Sequence, residues 1–278
     1  MMSKLFVVGT PIGNLSDMSP RGIETLKLVD FIAAEDTRVT VKLLNHFGIQ
    51  KPMISYYEHN IREKGQQIID RILAGESCAI VTDAGMPCIS DPGEDLVRLC
   101  QQSGIKTEVI PGPSAVISAL AVSGLITSRF TFEGFLSTQK TGRREHLTSL
   151  ANEMRTMIFY EAPHKLKDTL NDLLSAFGSE RKITLCRELT KIYEEIIPTT
   201  LSEAVELYKE KAPRGEYVLV LEGAKPMIQQ QVTLEQAVEL VKELCDSGIS
   251  LTVASKEIAT QTGIKKGEIY TAFVVKYR

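Results

Sequence analysis

Acidic and histidine side chains follow several short apolar runs of the sequence, at the points where buried strands would end. Glu35 follows residues 31–34, Glu161 and His164 follow residues 156–160, and Glu188 follows residues 182–186. A carboxylate or an imidazole within hydrogen-bond reach of a hydroxyl group can remove its proton as a general base. Histidine suits this task best near neutral pH, although Pro163 makes a helix-starting role for His164 an alternative, and Glu188 could instead pair with Arg187.

A loop of small residues, glycines and prolines spans residues 82–93, between an unbroken apolar run (78–81) and an amphipathic stretch (94–100). Such a run predicts a strand buried on both faces. Open α/β sheets bind their ligands beyond the carboxyl ends of their strands. Because Gly85 would let a ligand approach the backbone closely, the loop is a candidate binding loop, with an ordinary strand-to-helix connection as the alternative. Cys88 has no histidine near it in sequence, which argues against a thiol nucleophile.

Lysine and arginine side chains near the predicted strand ends could contact the phosphates of a nucleic acid. They are Arg38, Lys165, Arg187, Lys191 and the cluster Lys140, Arg143 and Arg144. The cluster could equally be a solvated helix start. His59 and Asn60, next to Tyr57, could stack on or hydrogen-bond a splayed base. The net charge of −3 gives no global electrostatic argument for a nucleic-acid partner, so binding would have to depend on such local patches.

The chain is longer than a usual single domain, and its composition is that of a globular protein. It has 278 residues, of which 43% are hydrophobic and 24% charged. Five cysteines without paired short spacing argue against a disulfide framework and a metal site, and favour a reducing compartment. The N-terminus has no signal-peptide pattern, and no apolar run is long enough to span a bilayer. We therefore expect a cytoplasmic protein with no membrane partner.

Alternating apolar runs and amphipathic stretches predict an α/β protein with a parallel sheet in its first half. The coincidence of a loop, prolines and a glycine at residues 111–113 predicts a boundary between domains 1–112 and 113–224. The second half is also mixed, with hairpin-like spacing, and its strands include residues 131–136 and 192–197. Residues 224–231 are predicted to be a linker, and the rest of a third domain (225–278) to be helical. Its two helices joined by a glycine-containing turn are similar to helix-turn-helix arrangements, with a basic side formed by Lys256, Lys265, Lys266, Lys276 and Arg278. A helical cap for packing or dimerisation is the alternative.

Five segments, taken in order, resemble the tetrapyrrole methylase superfamily, and most closely its branch that acts on bacterial ribosomal RNA. They are VVGTPIGNL (7–15), AEDTR (34–38), TDAGMPCISDPG (82–93) with PGPS (111–114), FYEAPHK (159–165), and RELTK (187–191) with GEY (215–217). The resemblance implies a homodimer of two-domain subunits with a small helical C-terminal domain. It also implies that S-adenosylmethionine binds in the cleft between the domains and that a methyl group is transferred to the ribose 2′-oxygen of a cytidine in the decoding centre of 16S rRNA. The protein would then act on the small ribosomal subunit.

The resemblance also implies which residues contact the cofactor. They are Gly85, Met86, Pro87, Ile89, Ser114, Ala115, Tyr160, Glu161, Leu189, Gly215, Glu216 and Tyr217. Members of the superfamily that act on corrins and porphyrins usually carry an Asp where Met86 stands, which favours the RNA branch. Methylation of a tetrapyrrole and a non-catalytic cofactor-binding module are the alternatives. An NAD(P)-dependent oxidoreductase is disfavoured because the G-x-G-x-x-G fingerprint is missing.

Overall fold

The structure is a computed structural model that describes residues 3–225 and 232–277. The chain divides into two compact units, Met1–Ala224 and Lys225–Arg278. Most of the predicted linker at residues 224–231, and Arg278 of the predicted basic side, lie outside the described residues.

The first sheet contains five parallel strands in the order β3-β2-β4-β1-β5. The strands are β1 (Lys4–Val8), β2 (Phe31–Ala34), β3 (Met53–Ser55), β4 (Cys78–Val81) and β5 (Lys106–Ile110). The helices between them are α1 (Pro20–Leu28), α2 (Thr37–His46), α3 (Ile61–Leu73) and α4 (Glu94–Gln102). Every residue of β2 and β4 is buried, as their unbroken apolar runs predict. The predicted parallel α/β sheet is therefore confirmed.

Side-chain caps begin two of these helices. The Ser19 hydroxyl accepts a hydrogen bond from the Gly22 amide at 3.0 Å, and the Asp36 carboxylate accepts one from the Arg38 amide at 2.8 Å. Both caps satisfy amide groups that have no partner within the helix. Asp36 therefore belongs to the start of α2.

The second sheet is mixed, with strand order β6-β7-β10-β8-β9. Its strands are β6 (Phe130–Phe135), β7 (Thr156–Glu161), β8 (Lys182–Arg187), β9 (Glu195–Thr200) and β10 (Tyr217–Leu221). The helices in this part of the chain are α5 (Ala115–Val122), α6 (Lys140–Ser149), α7 (Leu166–Phe177) and α8 (Leu201–Glu210). β6 and β7 are parallel, and the other neighbours are antiparallel. Tyr217 is in register with both Glu161 and Arg187, so the ends of β7 and β8 and the start of β10 lie on one edge.

Three predicted elements differ in their bounds. Residues 192–194, predicted as the start of a strand, are not in one, and Ile192 is 94% exposed and Tyr193 70% exposed. The strand β9 runs from Glu195 to Thr200. It is an edge strand, where a proline such as Pro198 is tolerated. The sequence of residues 142–154 is typical of a helix, and α6 begins two residues before that stretch and ends five residues before its end. Pro113 is a residue that can start a helix, but helix α5 begins at Ala115 after an N-cap at Ser114, so Pro113 lies outside it.

Over residues 232–277, the described part of the second unit contains three helices, α9 (Leu234–Asp246), α10 (Leu251–Thr262) and α11 (Lys266–Tyr277). A capping box between Thr233 and Gln236 begins α9, and Gly263 ends α10 in the left-handed conformation, with φ of 75°. Its core includes Val238, Val241, Ile258 and Phe273. The predicted helical C-terminal segment is confirmed. Of all the helices described in residues 3–225 and 232–277, none combines the length and the apolar character that a membrane span requires.

Candidate functional site

A cavity of 490 Å³, here called the first cavity, lies where the loops of the first sheet meet the edge of the second sheet. Two groups of residues line it. The loops that follow β1, β4 and β5 contribute Ile12, Ala84–Met86, Ile89–Asp91, Ser114 and Ala115. The second sheet and its loops contribute Phe135, Tyr160–His164, Cys186, Leu189, Lys191 and Glu216–Val218. This placement follows from topology, because all carboxyl ends of a parallel sheet lie on one edge.

The loop after β4 owes its shape to unusual backbone conformations. Gly85 has φ of 91°, and the non-glycine residues Cys88 and Ser90 have φ of 72° and 64°. Backbone hydrogen bonds of 2.9 and 3.2 Å between Thr10 and Gly85 join this loop to the loop after β1. Residues held in left-handed conformations cluster at ligand sites, and Ser90 lines the first cavity. Gly85 is therefore needed chiefly for its backbone conformation.

The loops after β1 and β5 touch through two glycines. A Cβ at Gly112 would lie 2.8 Å from both the carbonyl carbon and the Cα of Gly9. Such distances are too short for carbon atoms, so neither position has room for a side chain. The contact holds the Ser114 and Ala115 segment close to the other cavity loops.

Side chains at the end of β7 form part of the opposite wall. The Tyr160 ring packs against Phe132 and Phe135, with centroids 5.0 and 5.4 Å away. Glu161 is only 4% exposed, and its carboxylate accepts hydrogen bonds from the Ala162 amide at 2.8 Å and from the Thr169 hydroxyl. His164 lies on the same wall and is exposed to solvent.

Glu188 joins the loops at the ends of β8 and β10. Its Oε1 accepts hydrogen bonds from the Lys191 Nζ at 2.8 Å and from the Glu216 amide at 3.0 Å, and the Lys191 bond lowers the pKa of this carboxyl group. A Cβ at Gly215 would lie 2.5 Å from the Glu188 side chain. Glu188 and Thr190 also have positive φ, 50° and 65°, on either side of the cavity-lining Leu189. Glu188 thus shapes this wall without lining it.

Asp91 is an acidic cavity residue outside the predicted site. Burial, and then the nearby Glu35 and Asp83 carboxylates, raise the pKa of Asp91 to about 6. Glu35 itself accepts hydrogen bonds from the Thr82 hydroxyl and from the Asp83 amide at 3.4 Å, and does not line the cavity. Asp91 belongs to the loop that was predicted to bind ligand, but nothing in the sequence distinguishes it from the loop's other acid.

Most of the predicted cofactor residues line the first cavity. They are Gly85, Met86, Ile89, Ser114, Ala115, Tyr160, Glu161, Leu189, Glu216 and Tyr217, with the catalytic candidate His164 beside them. Pro87 and Gly215 are adjacent to lining residues but outside the lining. Other residues line the cavity although they were not predicted to contact the cofactor, among them Ile12, Ser90, Phe135, Cys186 and Lys191. The apolar members Ile12, Phe135 and Cys186 cannot be told from core residues by sequence pattern, whereas Ser90 lies in the predicted binding loop and Lys191 was predicted as a phosphate contact.

The predicted substrate residues are dispersed. Arg38 is bound to its neighbour Asp36 at 2.6 Å, and Asn60 bonds the backbone of its own turn, beside an exposed His59. The Arg187 guanidinium binds the Glu195 carboxylate at 2.8 Å and the Arg214 carbonyl at 2.7 Å, so its place is within the second sheet. Lys165 lines a second cavity, of 860 Å³.

Residues 4–205 match the family model of the tetrapyrrole (corrin/porphyrin) methylases. The chain belongs to the tetrapyrrole methylase family. A protein of Synechocystis sp. named ribosomal RNA small subunit methyltransferase I is 46% identical over 97% of this chain and 96% of its own length. The protein of the same name from Bacillus subtilis is 42% identical over 99% of this chain and 95% of its own length.

Solved structures of tetrapyrrole methylases share the fold. A cobalt precorrin-4 methyltransferase of cobalamin biosynthesis aligns with a TM-score of 0.60 and 18% identity, over 80% of this chain and 95% of its own. A uroporphyrin-III C-methyltransferase from Thermus thermophilus aligns with a TM-score of 0.56 and 17% identity, over 78% of this chain and 94% of its own. At these identities the likeness extends to the fold alone.

Proposed function

We propose that this tetrapyrrole methylase family member transfers a methyl group from S-adenosylmethionine to the ribose 2′-oxygen of a cytidine in 16S rRNA, within the small ribosomal subunit. The observation that carries the proposal is the 46% identity, over 97% of this chain and 96% of its relative, to a protein named ribosomal RNA small subunit methyltransferase I. We further propose domains 1–112 and 113–224 with the cofactor between them, a helical domain at 225–278, a homodimer, and action in the cytoplasm, where the ribosomal substrate is.

The first cavity suits S-adenosylmethionine in size and charge. Its 490 Å³ lies within the usual range for small-molecule sites. Among the described residues on its wall, three are acidic (Asp91, Glu161 and Glu216) and one is a lysine (Lys191), and this excess of negative charge favours a positively charged ligand. When bound, the cofactor supplies a methyl group activated by a sulfonium. The residues that would hold it are the predicted cofactor residues, with Pro87 and Gly215 supporting the loops from outside the lining.

Among the four candidate bases, His164 is the one we propose to accept the proton of the 2′-hydroxyl group. It lies on the cavity wall and is exposed to solvent, and its imidazole has no hydrogen-bond partner in the described part of the chain. Both carboxylate oxygens of Glu161 already accept hydrogen bonds. Glu188 is held by Lys191, and Glu35 by Thr82. These three carboxylates position the walls, and His164 is left available for proton transfer.

Methylation of purified small ribosomal subunits tests the proposal. The protein is incubated with labelled S-adenosylmethionine and either undermethylated subunits or a porphyrin precursor, and the RNA product is mapped by mass spectrometry. We expect label on the ribose of one cytidine and none on the porphyrin. Label on the porphyrin alone, or cofactor binding without transfer to either acceptor, would refute the RNA function.

The role of His164 is tested by His164→Asn, with His46→Asn on the exposed end of α2 as the control. We expect a fall in kcat of about 10²-fold or more for His164→Asn with little change in KM, since general-base catalysis contributes roughly that factor. An unchanged kcat would exclude His164 as the base.

A further inference from the structure

The second cavity lies between α6 and α7 and is lined mainly by polar side chains. Four cationic residues face it, Lys140, Arg143, Arg144 and Lys165, against two acidic residues, Asp168 and Asp172. Its volume of 860 Å³ exceeds that of the first cavity. A polar cleft with excess positive charge attracts anions.

The four cations are not equivalent. Arg143 donates hydrogen bonds to the Asp172 carboxylate at 2.5 Å and to the Thr169 hydroxyl at 2.7 Å, so its guanidinium is already engaged. The side chains of Lys140, Arg144 and Lys165 have no ion pair and no hydrogen bond with any residue in the described ranges 3–225 and 232–277. Three cationic heads therefore remain available to a ligand in the cavity.

The two cavities are immediate neighbours. A single helical turn, Pro163–Lys165, separates them, and its consecutive residues His164 and Lys165 line the first and the second cavity respectively. Consecutive Cα atoms are only ~3.8 Å apart. A chain of hydrogen bonds also crosses between them, because Thr169 accepts from Arg143 of the second cavity and donates to Glu161 of the first. The proposed base and a cation of the second cavity are thus consecutive residues of one turn.

We propose that the second cavity binds backbone phosphates of the RNA substrate through Lys140, Arg144 and Lys165, and thereby directs the target ribose to His164. This inference rests on the proposed function. Phosphate contacts fix the register of a nucleic acid without reading its sequence. The reacting ribose belongs to the same backbone as the phosphates, so contacts that hold the phosphates also set the position of the ribose. Arg143 holds the wall of the cavity and makes no phosphate contact.

The test measures RNA affinity directly. A fluorescein-labelled single-stranded RNA oligonucleotide with the sequence around the methylated cytidine is titrated with the wild type, with Lys140→Ala/Arg144→Ala and with Lys165→Ala, at several salt concentrations. The matched control is Lys27→Ala/Lys182→Ala, which removes the same charge from exposed positions on α1 and at the start of β8. Calorimetric titration with S-adenosylmethionine shows whether each variant keeps its first cavity.

We expect the dissociation constant of Lys140→Ala/Arg144→Ala for RNA to rise about tenfold or more at low salt. The slope of log K against log salt should fall by about 0.7 for each phosphate that the variant no longer neutralises. Lys165→Ala should show a smaller shift of the same kind, and the control should bind as the wild type does. Cofactor affinity should remain unchanged in all variants.

The outcomes separate this inference from the proposed function. Wild-type affinity and salt slope in both cavity variants, or an equal loss in the control, would overturn the phosphate site even if the wild type methylates RNA. Conversely, a specific loss of RNA affinity in a protein that transfers no methyl group would leave the phosphate site standing and refute the methyltransferase function.

Discussion

On the first sheet's side of the first cavity, backbone contacts join the loops to one another, whereas on the second sheet's side hydrogen-bonded carboxylates lie at the strand ends. On the first side, Gly85 and Ser90 adopt positive φ, and Gly9 meets Gly112 with no room for a Cβ. On the second side, hydrogen bonds fix the Glu161 and Glu188 carboxylates. Positive φ also occurs on the second side, at Glu188 and Thr190, so what distinguishes that side is the set of hydrogen bonds that hold its carboxylates.

This difference follows from the way each sheet is connected. A parallel sheet can offer only the loops beyond its strands, because its faces are covered by helices. In the second sheet, the antiparallel β10 enters at the edge where β7 and β8 end, which places Tyr217 beside Glu161 and Arg187. Substitutions on the two sides should consequently fail in distinguishable ways.

The largest effect is expected where two backbones touch. Gly112→Ala would place a Cβ 2.8 Å from the Gly9 backbone, which cannot move without displacing both loops. We expect a loss of about 3 kcal/mol in the free energy of unfolding, measured by urea denaturation, together with loss of cofactor binding. Gly142→Ala in α6 is the control, since its Cβ would meet nothing closer than 3.6 Å. Equal stability of the two variants would contradict the close approach of the two backbones.

On the second sheet's side of the first cavity, the equivalent test removes a buried hydrogen bond. Thr169→Val keeps the side-chain shape but removes the hydroxyl that donates to Glu161 and accepts from Arg143. We expect a loss of roughly 1–3 kcal/mol in the free energy of unfolding, and a weaker affinity for S-adenosylmethionine by calorimetry. The control Thr184→Val removes an equally buried hydroxyl, bonded to the Ser123 carbonyl at 2.8 Å, and should leave cofactor affinity intact.

Substitution of two glycines that have positive φ, Gly85 and Gly75, tests the effect of backbone conformation alone. Gly85→Ala should cost about 1–2 kcal/mol of stability, because an L residue is disfavoured at φ of 91°, and should also weaken cofactor binding. Gly75→Ala, at φ of 109° with open space around it, should lose comparable stability but bind the cofactor normally. If both variants bind the cofactor equally well, the loop after β4 does not contact it.

The smallest expected effect is a pH dependence from Asp91. Since burial raises the pKa of Asp91 to about 6 from 3.8, the folded state holds this proton more tightly than the unfolded state. This residue's contribution to stability therefore falls as pH rises from about 4 to 6. Asp91→Asn should remove that contribution, so the urea midpoint of the variant relative to that of the wild type should increase from pH 4 to pH 6. Asp70→Asn, at an exposed position on α3, is the matched control.

The same carboxylate should couple cofactor binding to pH. A positively charged ligand favours ionised Asp91, so we expect the affinity for S-adenosylmethionine to weaken as pH falls through about 6. Isothermal titration at pH 5.5 and 7.5 measures the change. A pH-independent affinity in this range would mean that Asp91 lies too far from the bound charge to matter.

Local patterns were sufficient to predict most of the fold. Apolar runs predicted nearly all the strands, because complete burial requires apolar side chains at successive positions. The helix caps Ser19 and Thr233 are local features as well, because a cap depends on neighbouring residues only. The strand at residues 192–197 was misplaced because Ile192 and Tyr193 are apolar residues in an exposed turn, which pattern alone does not separate from a strand.

Contacts between distant elements decided the chemistry of the candidate site. Sequence alone placed Glu35, Glu161, His164 and Glu188 at strand ends and left all four as candidates for proton transfer. Only the packing of α7 against β7 gives Glu161 its bond to Thr169, and only the approach of Gly215 confines Glu188. A secondary-structure element is determined by residues next to it in the chain, whereas the ionisation and availability of a side chain depend on whatever the fold brings within a few ångströms of it.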